Sequence, residues 1–398
     1  MNNAFASEFT VIHLSSGHIG GAGLAARRLN SKLNQSGIDS KFMALEQASF
    51  IPEVNEYIIK RNMIEKIVSK VLTKINLMNS RDVFFSLYSQ DVLFRKMSKI
   101  IDRPKTTILH IHNSYNLITT KNIITLSSMG IPIVVTLHDQ RFMTGGCHYA
   151  LDCDGFVKDC LKCPKSVPIF RNIPNKNLIK LKELMQSKGN RLSFVAPSEW
   201  ILNEAKKSTL LKLHNVSRIS NTLNIPMKKT RFTKTDRTLS SKLYIGIANM
   251  DKNSYVKGGD LIRDMEAILI KRKSRVNLIH LSDWLAIGKP AEEFWETIDS
   301  LLIPSRADNS PNVIHEAKYF GVPVIATKVG GISEMLNRDF DIEIDIVNLT
   351  PEFLADIIEK TSSYFRTESE IAEMQKKFLV YLGDPILEIS NLYKSLIC

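Results

Sequence analysis

Two acidic residues in the last third of the chain have the spacing of a ligand-binding pair. Residues 304–331 read PSRADNSPNVIHEAKYFGVPVIATKVGG, which places Asp308 and Glu316 eight positions apart around the expected start of a helix. Carboxylates accept hydrogen bonds from vicinal hydroxyls, and a helix N-terminus between them attracts an anion. The pattern therefore suits a nucleotide-activated sugar. In the competing interpretation, both are ordinary acids that the helix dipole favours.

The helix start between these acids would supply the amide groups of the anion site. Ser310 is predicted to cap the helix and Pro311 to lie in its first turn. The backbone N–H groups of Asn312 and Val313 would then face the loop. In the same half of the chain, Lys257 precedes two glycines at another expected helix start, where a lysine can pair with a phosphate.

A glycine-rich loop lies between the first expected strand and the first expected helix. Gly20, Gly21 and Gly23 let the backbone turn tightly and approach a ligand. Residues 21–26 also fit a G-x-G-x-x-A dinucleotide fingerprint, with Glu46 as the acid for the ribose. Glu46 lies further along than the roughly 20 residues expected. We therefore favour a glycine loop that faces an interdomain cleft and keep a dinucleotide site as the alternative.

His138 follows an apolar strand expected at Ile131–Leu137. Ligands of open α/β sheets collect at the carboxyl ends of strands, so this imidazole is expected to hydrogen-bond a sugar or stabilise a transferring group. The alternative is a histidine satisfied at a strand end. His110 and His112 are two apart on a strand and share one face, which can be either packed or functional.

Four of the five cysteines fall within seventeen residues, with spacing C-x5-C-x6-C-x2-C. The C-x2-C half suits a tetrahedral zinc knuckle, whereas the first half is looser than usual. Because four thiolates leave no open position, such a zinc would be structural; free thiols and a disulfide are the alternatives. The candidate ligands are Cys147, Cys153, Cys160 and Cys163.

Short β-branched runs alternate with helical stretches along the chain, which predicts parallel sheets covered on both faces. We expect an N-terminal domain at 1–225, a polar, basic linker at 226–242, a C-terminal domain at 243–375 and a helix at 376–398 that packs back on the N-terminal domain. The expected strands are Phe9–Leu14, Thr107–Ile111, Ile131–Leu137, Ser193–Ala196, Leu243–Ala248, Val276–Leu281, Leu301–Ile303 and Val322–Ala326. The clearest expected helices are Leu24–Gln35, Gly259–Lys271 and Pro311–Phe320.

Composition and charge narrow the class of protein. The net charge of +12 favours anionic partners such as phosphorylated substrates, a membrane surface or nucleic acid. No apolar run is long enough to span a membrane and the N-terminus does not resemble a signal peptide, so a cytoplasmic protein is expected. A zinc-containing nucleic-acid-binding protein is an alternative function, as is an NAD-dependent oxidoreductase. Because the basic residues are dispersed, with no aromatic–basic platform, we expect no nucleic-acid partner.

Residues 60–77 form an expected basic amphipathic helix. Lysines at 66, 70 and 74 flank an apolar stripe at 63, 64, 67, 68, 71, 72 and 75. We expect the apolar stripe to pack on its own domain, and the basic face is a candidate for contact with anionic lipid on the inner face of the cell membrane.

Taken together, the motifs resemble the GT-B glycosyltransferases of family 4, also called group 1. That family carries an E-x7-E motif before a G-x-P-V-I-A-T-x-x-G-G run; here Asp308 and Glu316 stand at the acidic positions and residues 321–331 match the run. Residues 144–164 (TGGCHY to CP) are similar to a bacterial subgroup that builds surface polysaccharides such as colanic acid and O-antigens. Further matches are GGAG at 20–23, TLHD at 136–139, APSEW at 196–200 and KG at 257–258.

The resemblance implies two Rossmann-like domains whose parallel sheets face a central cleft. It implies a retaining, hexosyltransferase-type enzyme that moves a sugar from a nucleotide-diphosphate donor to a glycan or polyprenyl-diphosphate-linked acceptor and requires no cofactor for catalysis. The resemblance implies that Asp308 contacts the donor-sugar hydroxyls, Glu316 the ribose and Lys257 the leaving phosphates. It implies that His138 lies beside the anomeric centre. The diphosphate would be contacted by the 20–23 loop and by the backbone of Asn309, Ser310, Asn312 and Val313.

Three positions depart from the family pattern. The first acid is Asp308 rather than glutamate, which shortens its reach and bears on the identity of the donor sugar. An arginine that often precedes the KG lysine is absent, which leaves Lys252 as the candidate substitute. Residues 271–301 have room for one strand where two are usual, so the C-terminal domain is expected to be trimmed.

Overall fold

The structure is a computed structural model of the 398-residue chain. It describes residues 9–47, 50–79, 85–97, 100–101, 103–186, 189, 191–223, 242–249, 251–361 and 368–397. These residues form two compact units: unit 1 contains 9–223 and 384–397, and unit 2 contains 242–383. Apart from Lys242, the linker expected at 226–242 lies outside the described residues, as does Cys398.

Unit 1 is built on a seven-stranded parallel sheet. Its strands are β1 (Thr10–Ser15), β2 (Asp39–Leu45), β3 (Glu56–Ile59), β4 (Thr107–Ile111), β5 (Ile133–Thr136), β6 (Leu192–Ala196) and β7 (Val216–Arg218). The order across the sheet is β3-β2-β1-β4-β5-β6-β7. In β1, Ile12 and Leu14 pack into one apolar cluster and Val11 into another, so both faces of the sheet are covered.

The helices of unit 1 connect these parallel strands, as crossover connections require. They are α1 (Gly20–Gln35), α2 (Met63–Asn79), α3 (Phe94–Met97), α4 (Thr120–Ser128), α5 (Ile173–Gln186) and α6 (Glu199–Lys207), with α13 (Pro385–Ile397) added from the C-terminus.

Unit 2 has a smaller parallel sheet of five strands in the order β12-β11-β10-β8-β9. The strands are β8 (Leu243–Ile247), β9 (Val276–His280), β10 (Ser300–Ile303), β11 (Val324–Thr327) and β12 (Ile342–Ile344). One strand, β9, lies between residues 271 and 299, as expected for a trimmed domain. The helices are α7 (Gly259–Lys271), α8 (Leu281–Ala286), α9 (Ala291–Thr297), α10 (Asn312–Tyr319), α11 (Pro351–Lys360) and α12 (Glu368–Leu382). The two parallel-sheet α/β units confirm the predicted fold class.

The C-terminal segment consists of two helices where one was expected over 376–398. Helix α12 belongs to unit 2, where its Ile371 packs on Gly321. Gly383 has a left-handed φ of +67°, and the chain then enters α13, whose Tyr393 is fully buried in unit 1. The left-handed glycine and the proline at the start of α13 account for the break.

Helix α2 reverses the expected amphipathic arrangement. The prediction that its apolar stripe packs on its own domain is wrong, because Met63, Ile64, Ile67 and Val71 are each more than half exposed. Polar side chains face unit 1 instead, as the buried residues Ser69 and Asn76 show. The apolar side chains are therefore left at the surface. None of the described helices is both long and apolar enough to cross a membrane.

The polar contacts of α2 explain this orientation. Ser69 Oγ accepts a hydrogen bond from Asn116 Nδ2 at 2.9 Å. Asn76 Nδ2 donates to the carbonyl of Tyr88 at 2.9 Å and to the hydroxyl of Tyr115 at 3.1 Å. Hydrogen bonds of this kind satisfy buried polar groups, so the polar face can be buried without a desolvation penalty.

Candidate active site

Asp308 lies in the loop that follows β10, at the carboxyl end of a central strand of unit 2. Its side chain is buried and its Oδ2 lies 2.7 Å from Lys257 Nζ. Its Oδ1 accepts from the backbone N–H of Asn309 at 3.0 Å, and its carbonyl accepts from the N–H of Gly331 at 3.1 Å. The structure thus joins two of the predicted site residues, which are 51 positions apart in sequence, in one ion pair.

Gly330 lets the loop after β11 pass against the backbone of Asp308. It has a left-handed φ of +56°, and a Cβ here would lie 1.7 Å from the carbonyl oxygen of Asp308. Real Cβ contacts essentially never fall below 3.0 Å, so the position requires glycine. The Gly-Gly pair at the end of the sequence motif therefore fixes the backbone from which the Asp308 carboxylate projects.

The two glycines after Lys257 also allow close contacts between backbone segments, here at the start of α7. Gly258 has a φ of +73°, and a Cβ on it would lie 2.2 Å from the carbonyl oxygen of Pro304. A Cβ on Gly259 would lie 2.1 Å from the carbonyl oxygen of Lys252. The approach at Gly258 places the start of α7 against the loop after β10, and with it Lys257 beside Asp308, whereas the approach at Gly259 packs the helix start on the segment after β8.

Helix α10 begins one residue later than predicted. Pro311 is the N-cap residue, with φ −67° and an extended ψ of 114°, and it offers no side-chain cap. The predicted Ser310 cap is wrong, because its hydroxyl faces Met335 Sδ at 4.0 Å. The first helical turn therefore contains Asn312 and Val313, as expected of the anion site.

Glu316 lies one turn into α10 and is buried, with 9% of its surface exposed. Asn309 and Asn312 are buried in the same segment. Unit 2 thus contains a lysine–aspartate pair, the N-terminus of a short helix four residues after Asp308, and a buried acid one turn into that helix. These groups can accept from hydroxyls through the carboxylates and bind an anion through the lysine and the helix N-terminus.

Arg306 is a site-forming residue that the sequence did not single out. Its guanidinium makes a bidentate pair with Asp260, with both N···O distances 2.7 Å, and lies 3.9 Å from the ring centroid of Tyr255. Hydrogen bonds from Arg306 lower the pKa of Asp260. The pair ties the loop after β10 to the first turn of α7 and thereby supports the Lys257–Asp308 contact.

Lys252, the candidate substitute for a family arginine, does not reach Asp308 in the structure. Its Nζ lies 2.7 Å from Asp283 Oδ2 on α8, and both side chains are largely exposed. An exposed pair of this kind contributes little to stability.

In unit 1, His138 lies two residues after the end of β5, at one end of a chain of imidazoles. His13 Nδ1 is 3.0 Å from His112 Nε2, and His112 Nδ1 is 2.9 Å from His138 Nε2. Burial lowers the pKa of His13 to about 3 and that of His138 to about 4, and it places the pKa of His112 well below its ordinary value. All three rings are therefore neutral near pH 7.

His110 packs on His112, with ring centroids 4.1 Å apart, but takes no part in this hydrogen-bonded chain. Its Nδ1 is 2.6 Å from the hydroxyl of Tyr393 on α13, and its Nε2 is 2.7 Å from Thr136 Oγ1. Both ring nitrogens are thus engaged by hydroxyls, and burial holds its pKa well below the ordinary value. Of the two interpretations open for His110, the structure favours the packed one.

Asp139 forms the polar group beside His138. Its Oδ2 lies 2.8 Å from His148 Nδ1, and its Oδ1 accepts from the backbone N–H of Arg141 at 2.9 Å. Although burial opposes ionisation, His148 and Arg141 hold the pKa of Asp139 well below its usual range. Asp139 thus remains an anion at the carboxyl end of β5.

The expected glycine loop is wrong in part, because α1 begins at Gly20, four residues earlier than predicted, and Gly20, Gly21 and Gly23 form its first turn. Gly20 and Gly21 are exposed at the helix start, and the N-cap residue Ile19 makes no side-chain cap. A Cβ on Gly23 would lie 2.4 Å from the carbonyl oxygen of Gly17, so the loop needs this glycine. Glu46, the acid of the dinucleotide alternative, instead pairs with Lys66 of α2 at 2.7 Å.

The four clustered cysteines line one cavity in unit 1 and are free thiols. Burial raises the pKa of the Cys160 thiol to about 11 and also raises those of Cys147 and Cys163. The group of described side chains whose donor atoms gather within 4.8 Å is the histidine trio His13, His110 and His112 rather than the thiols.

Comparison with known proteins agrees with the sequence motifs. Residues 255–361 match the family model described as glycosyl transferases group 1. The chain is 24% identical to the "Putative colanic acid biosynthesis glycosyl transferase WcaC" of Escherichia coli K12, over 78% of this chain and 83% of that protein.

Solved structures share the fold over almost the whole chain. Anabaena Alr3699/HepE in complex with UDP and glucose superposes with a TM-score of 0.58 at 13% identity and covers 98% of this chain and 99% of its own. WaaG, described as a glycosyltransferase involved in lipopolysaccharide biosynthesis, has a TM-score of 0.55 at 11% identity and covers 97% and 99%. The chain is therefore a glycosyltransferase of the GT-B fold that carries a group 1 domain in unit 2.

Proposed function

We propose that the protein is a retaining glycosyltransferase that moves a sugar from a nucleotide-diphosphate donor to a lipid-linked glycan acceptor in bacterial surface polysaccharide synthesis. The observation that carries the proposal is the ion pair between Lys257, just before α7, and Asp308, in the loop after β10, which is held by glycines that admit no side chain. The donor class is supported by HepE, whose structure contains UDP and glucose. The polysaccharide class is supported by the descriptions of WcaC and WaaG.

In the proposed reaction, the bond between the anomeric carbon and the diphosphate breaks while a bond to an acceptor hydroxyl forms on the same face of the sugar. The hydroxyl proton passes to the departing diphosphate. Lys257 and the N-terminus of α10 stabilise the charge that develops on the diphosphate, which is electrostatic stabilisation by preorganised groups. Asp308 accepts from donor-sugar hydroxyls, and Glu316 accepts from the ribose.

The test is a panel of UDP-, GDP-, ADP- and dTDP-sugars, scored for hydrolysis and for transfer to lipid-linked acceptors. Asp308→Asn and Glu316→Gln are expected to reduce turnover at least tenfold, because each loses a charge-assisted hydrogen bond of about 1.5–3 kcal/mol. Glu292→Gln, an exposed acid of α9, is the matched control. Full activity in both site variants would overturn the site, and an inverted anomer in the product would overturn retention.

We further propose that α2 attaches the protein to an anionic membrane surface. Its polar residues bond to unit 1, so Met63, Ile64, Ile67 and Val71 are free to insert between lipids. The lysines at 66, 70 and 74 add attraction to anionic headgroups, at about 1 kcal/mol each. A lipid-linked acceptor would be presented at the same surface.

Vesicle sedimentation tests this attachment with lipid alone. Wild type is expected to bind vesicles that contain phosphatidylglycerol and to bind pure phosphatidylcholine weakly. Ile64→Glu with Ile67→Glu should abolish binding, whereas Ile270→Glu, at an equally exposed apolar residue of α7, should not. Equal binding by wild type and the double variant would contradict the proposal.

We also propose that the four cysteines hold one structural zinc. They line a single cavity, and the N–H of Gly155 donates to Cys153 Sγ at 3.4 Å. No three of the sulfur atoms of these four described cysteines lie within 4.8 Å of one another in the structure, so zinc binding would draw the thiols together. Zinc would remove the cost of burying these thiols by binding them deprotonated. Protein purified without added metal should contain one zinc, and Cys160→Ser should lose it. Protein that is purified without zinc and whose thermal stability does not change when zinc is added would contradict the proposal. The cysteines would then be free thiols.

A further inference from the structure

The chain of three imidazoles in unit 1 is set up by the sheet. His13 lies in β1, His112 directly follows β4, and His138 follows β5, so three neighbouring parallel strands bring together residues up to 125 positions apart. The ring centroids of adjacent members are 5.3 and 5.2 Å apart, with the rings tilted by 41° and 30°. Both N···N contacts, at 3.0 and 2.9 Å, are within hydrogen-bonding distance.

The chain of three neutral imidazoles has two possible arrangements of its protons. A neutral imidazole has one N–H donor and one acceptor nitrogen, so His112 donates in one direction and accepts from the other. If His112 donates to His138, then His13 donates to His112, and the remaining proton lies on His138 Nδ1. If His112 donates to His13, the remaining proton lies on His13 Nε2. The tautomer of His138 is therefore tied to that of His13.

The two ends of the chain differ in their surroundings. His13 Nε2 is fully buried and has no hydrogen-bond partner among the described residues. His138 is half-buried, and its outer nitrogen Nδ1 is not among the buried side-chain atoms of the described residues that lack a partner. Buried N–H groups without an acceptor are rarer in proteins than under-satisfied acceptors. The favoured state therefore leaves His13 Nε2 bare and places the proton on His138 Nδ1.

We propose that His13 and His112 are positioning residues that hold His138 as its Nδ1–H tautomer, so that its outer nitrogen is a hydrogen-bond donor. If the proposed function holds, this N–H would donate to an oxygen of the donor substrate. An uncharged donor of this kind needs no buried positive charge. The chain of imidazoles thus gives His13 a positioning role, although His13 belongs to none of the family motifs.

A metal ion is the competing occupant, because donor atoms of His13, His110 and His112 lie within 4.8 Å of one another. Both nitrogens of His110 already contact hydroxyls, at 2.6 and 2.7 Å. A metal would have to displace one of these hydroxyls as well as the His13–His112 hydrogen bond. The hydrogen-bonded chain satisfies more of the polar atoms, and the metal remains an outcome of the test.

The test is a long-range 1H–15N correlation spectrum of the full-length protein at pH 7, with 15N-labelled histidine. Wild-type His138 is expected to show a protonated Nδ1 in about tenfold excess, since an orphaned buried N–H is disfavoured by roughly that factor. In His13→Phe the excess should be lost. His13→Asn should retain it, because the amide can still donate to His112 Nε2.

Tyr393→Phe is the matched control, since it removes a partner of His110 without touching the chain. A wild-type His138 protonated on Nε2 would overturn the proposal, as would an unchanged tautomer in both His13→Phe and His112→Phe. Stoichiometric bound metal that disappears in His13→Phe would also overturn it. The spectrum requires no substrate, so its result is independent of whether the donor site or transfer reaction is correctly assigned.

Discussion

Replacing Gly330 with alanine tests whether the backbone crossing beneath Asp308 shapes the donor site. The new Cβ would lie 1.7 Å from the carbonyl oxygen of Asp308, so the two strands of backbone must separate by about 1.3 Å to reach even 3.0 Å. The left-handed φ of +56° adds about 1–2 kcal/mol of strain for alanine. The hydrogen bond from Gly331 N–H to Asp308 adds about 1 kcal/mol when it is lost.

Together these effects predict a loss of about 2–3 kcal/mol of stability in unit 2. They also predict a drop of about a hundredfold in turnover, because a displacement of about 1 Å at a reacting centre has that effect. Gly288→Ala is the control: it has a φ of +77° in the same unit, but no atom lies within 4 Å of its Cβ. It should lose about 1–2 kcal/mol of stability and keep full activity.

The measurements are thermal unfolding and calorimetric titration with whichever of UDP, GDP, ADP and dTDP binds wild type most tightly. Circular dichroism would establish that the variant is folded before binding is compared. A folded Gly330→Ala protein with wild-type affinity and turnover would refute the reasoning, because the crossing would then have no part in shaping the site.

Two further predictions concern charge. Lys257→Met should weaken binding of the same nucleoside diphosphate by about tenfold to a hundredfold, because a charge-assisted contact is lost. Lys252→Met should leave the affinity unchanged. An equal loss of affinity in the two variants, measured by calorimetry, would contradict this prediction. Burial lowers the pKa of His13 to about 3 and of His138 to about 4, so only the unfolded chain takes up these protons as pH falls below 6.5. The free energy of unfolding should then drop by at least about 2.7 kcal/mol per pH unit between roughly pH 6 and 4.5, because His110 and His112, whose pKa values burial also lowers, add to the effect. Asp139, whose pKa is lowered, contributes only below about pH 4. Urea unfolding that does not change between pH 7 and 5 would rule out this reading of the histidines.

Local signals in the sequence predicted several elements well. Helix α7 and strand β4 have the predicted bounds, Gly259–Lys271 and Thr107–Ile111. A glycine with left-handed φ directly precedes α7, and three of the five residues of β4 are β-branched, so neighbours in sequence were sufficient. The Gly383-Asp384-Pro385 run also carried a local signal for the helix break, which the expectation of one C-terminal helix overlooked.

The features that the sequence did not reveal depend on partners far along the chain. In the sequence, His13 is a polar residue between apolar residues of a strand. Its hydrogen-bond partner His112 is 99 residues away, so no local pattern indicates the contact. The polar residues of α2 are buried because Ser69 bonds to Asn116 and Asn76 to Tyr115, neither of which a helical periodicity can indicate. At α10 the error was a single residue, because the backbone of Pro311 stays extended at ψ 114°.

The most direct measurement is thermal stabilisation of the full-length protein by a panel of nucleotide-diphosphate sugars, set against NAD and an oligonucleotide. Binding to the folded state stabilises by mass action, so a ligand at 100 times its Kd should add about 2.7 kcal/mol. We predict stabilisation by at least one nucleotide sugar and its loss in Glu316→Gln. Stabilisation by NAD alone, or by a nucleotide sugar equally in wild type and Glu316→Gln, would contradict a donor site in unit 2.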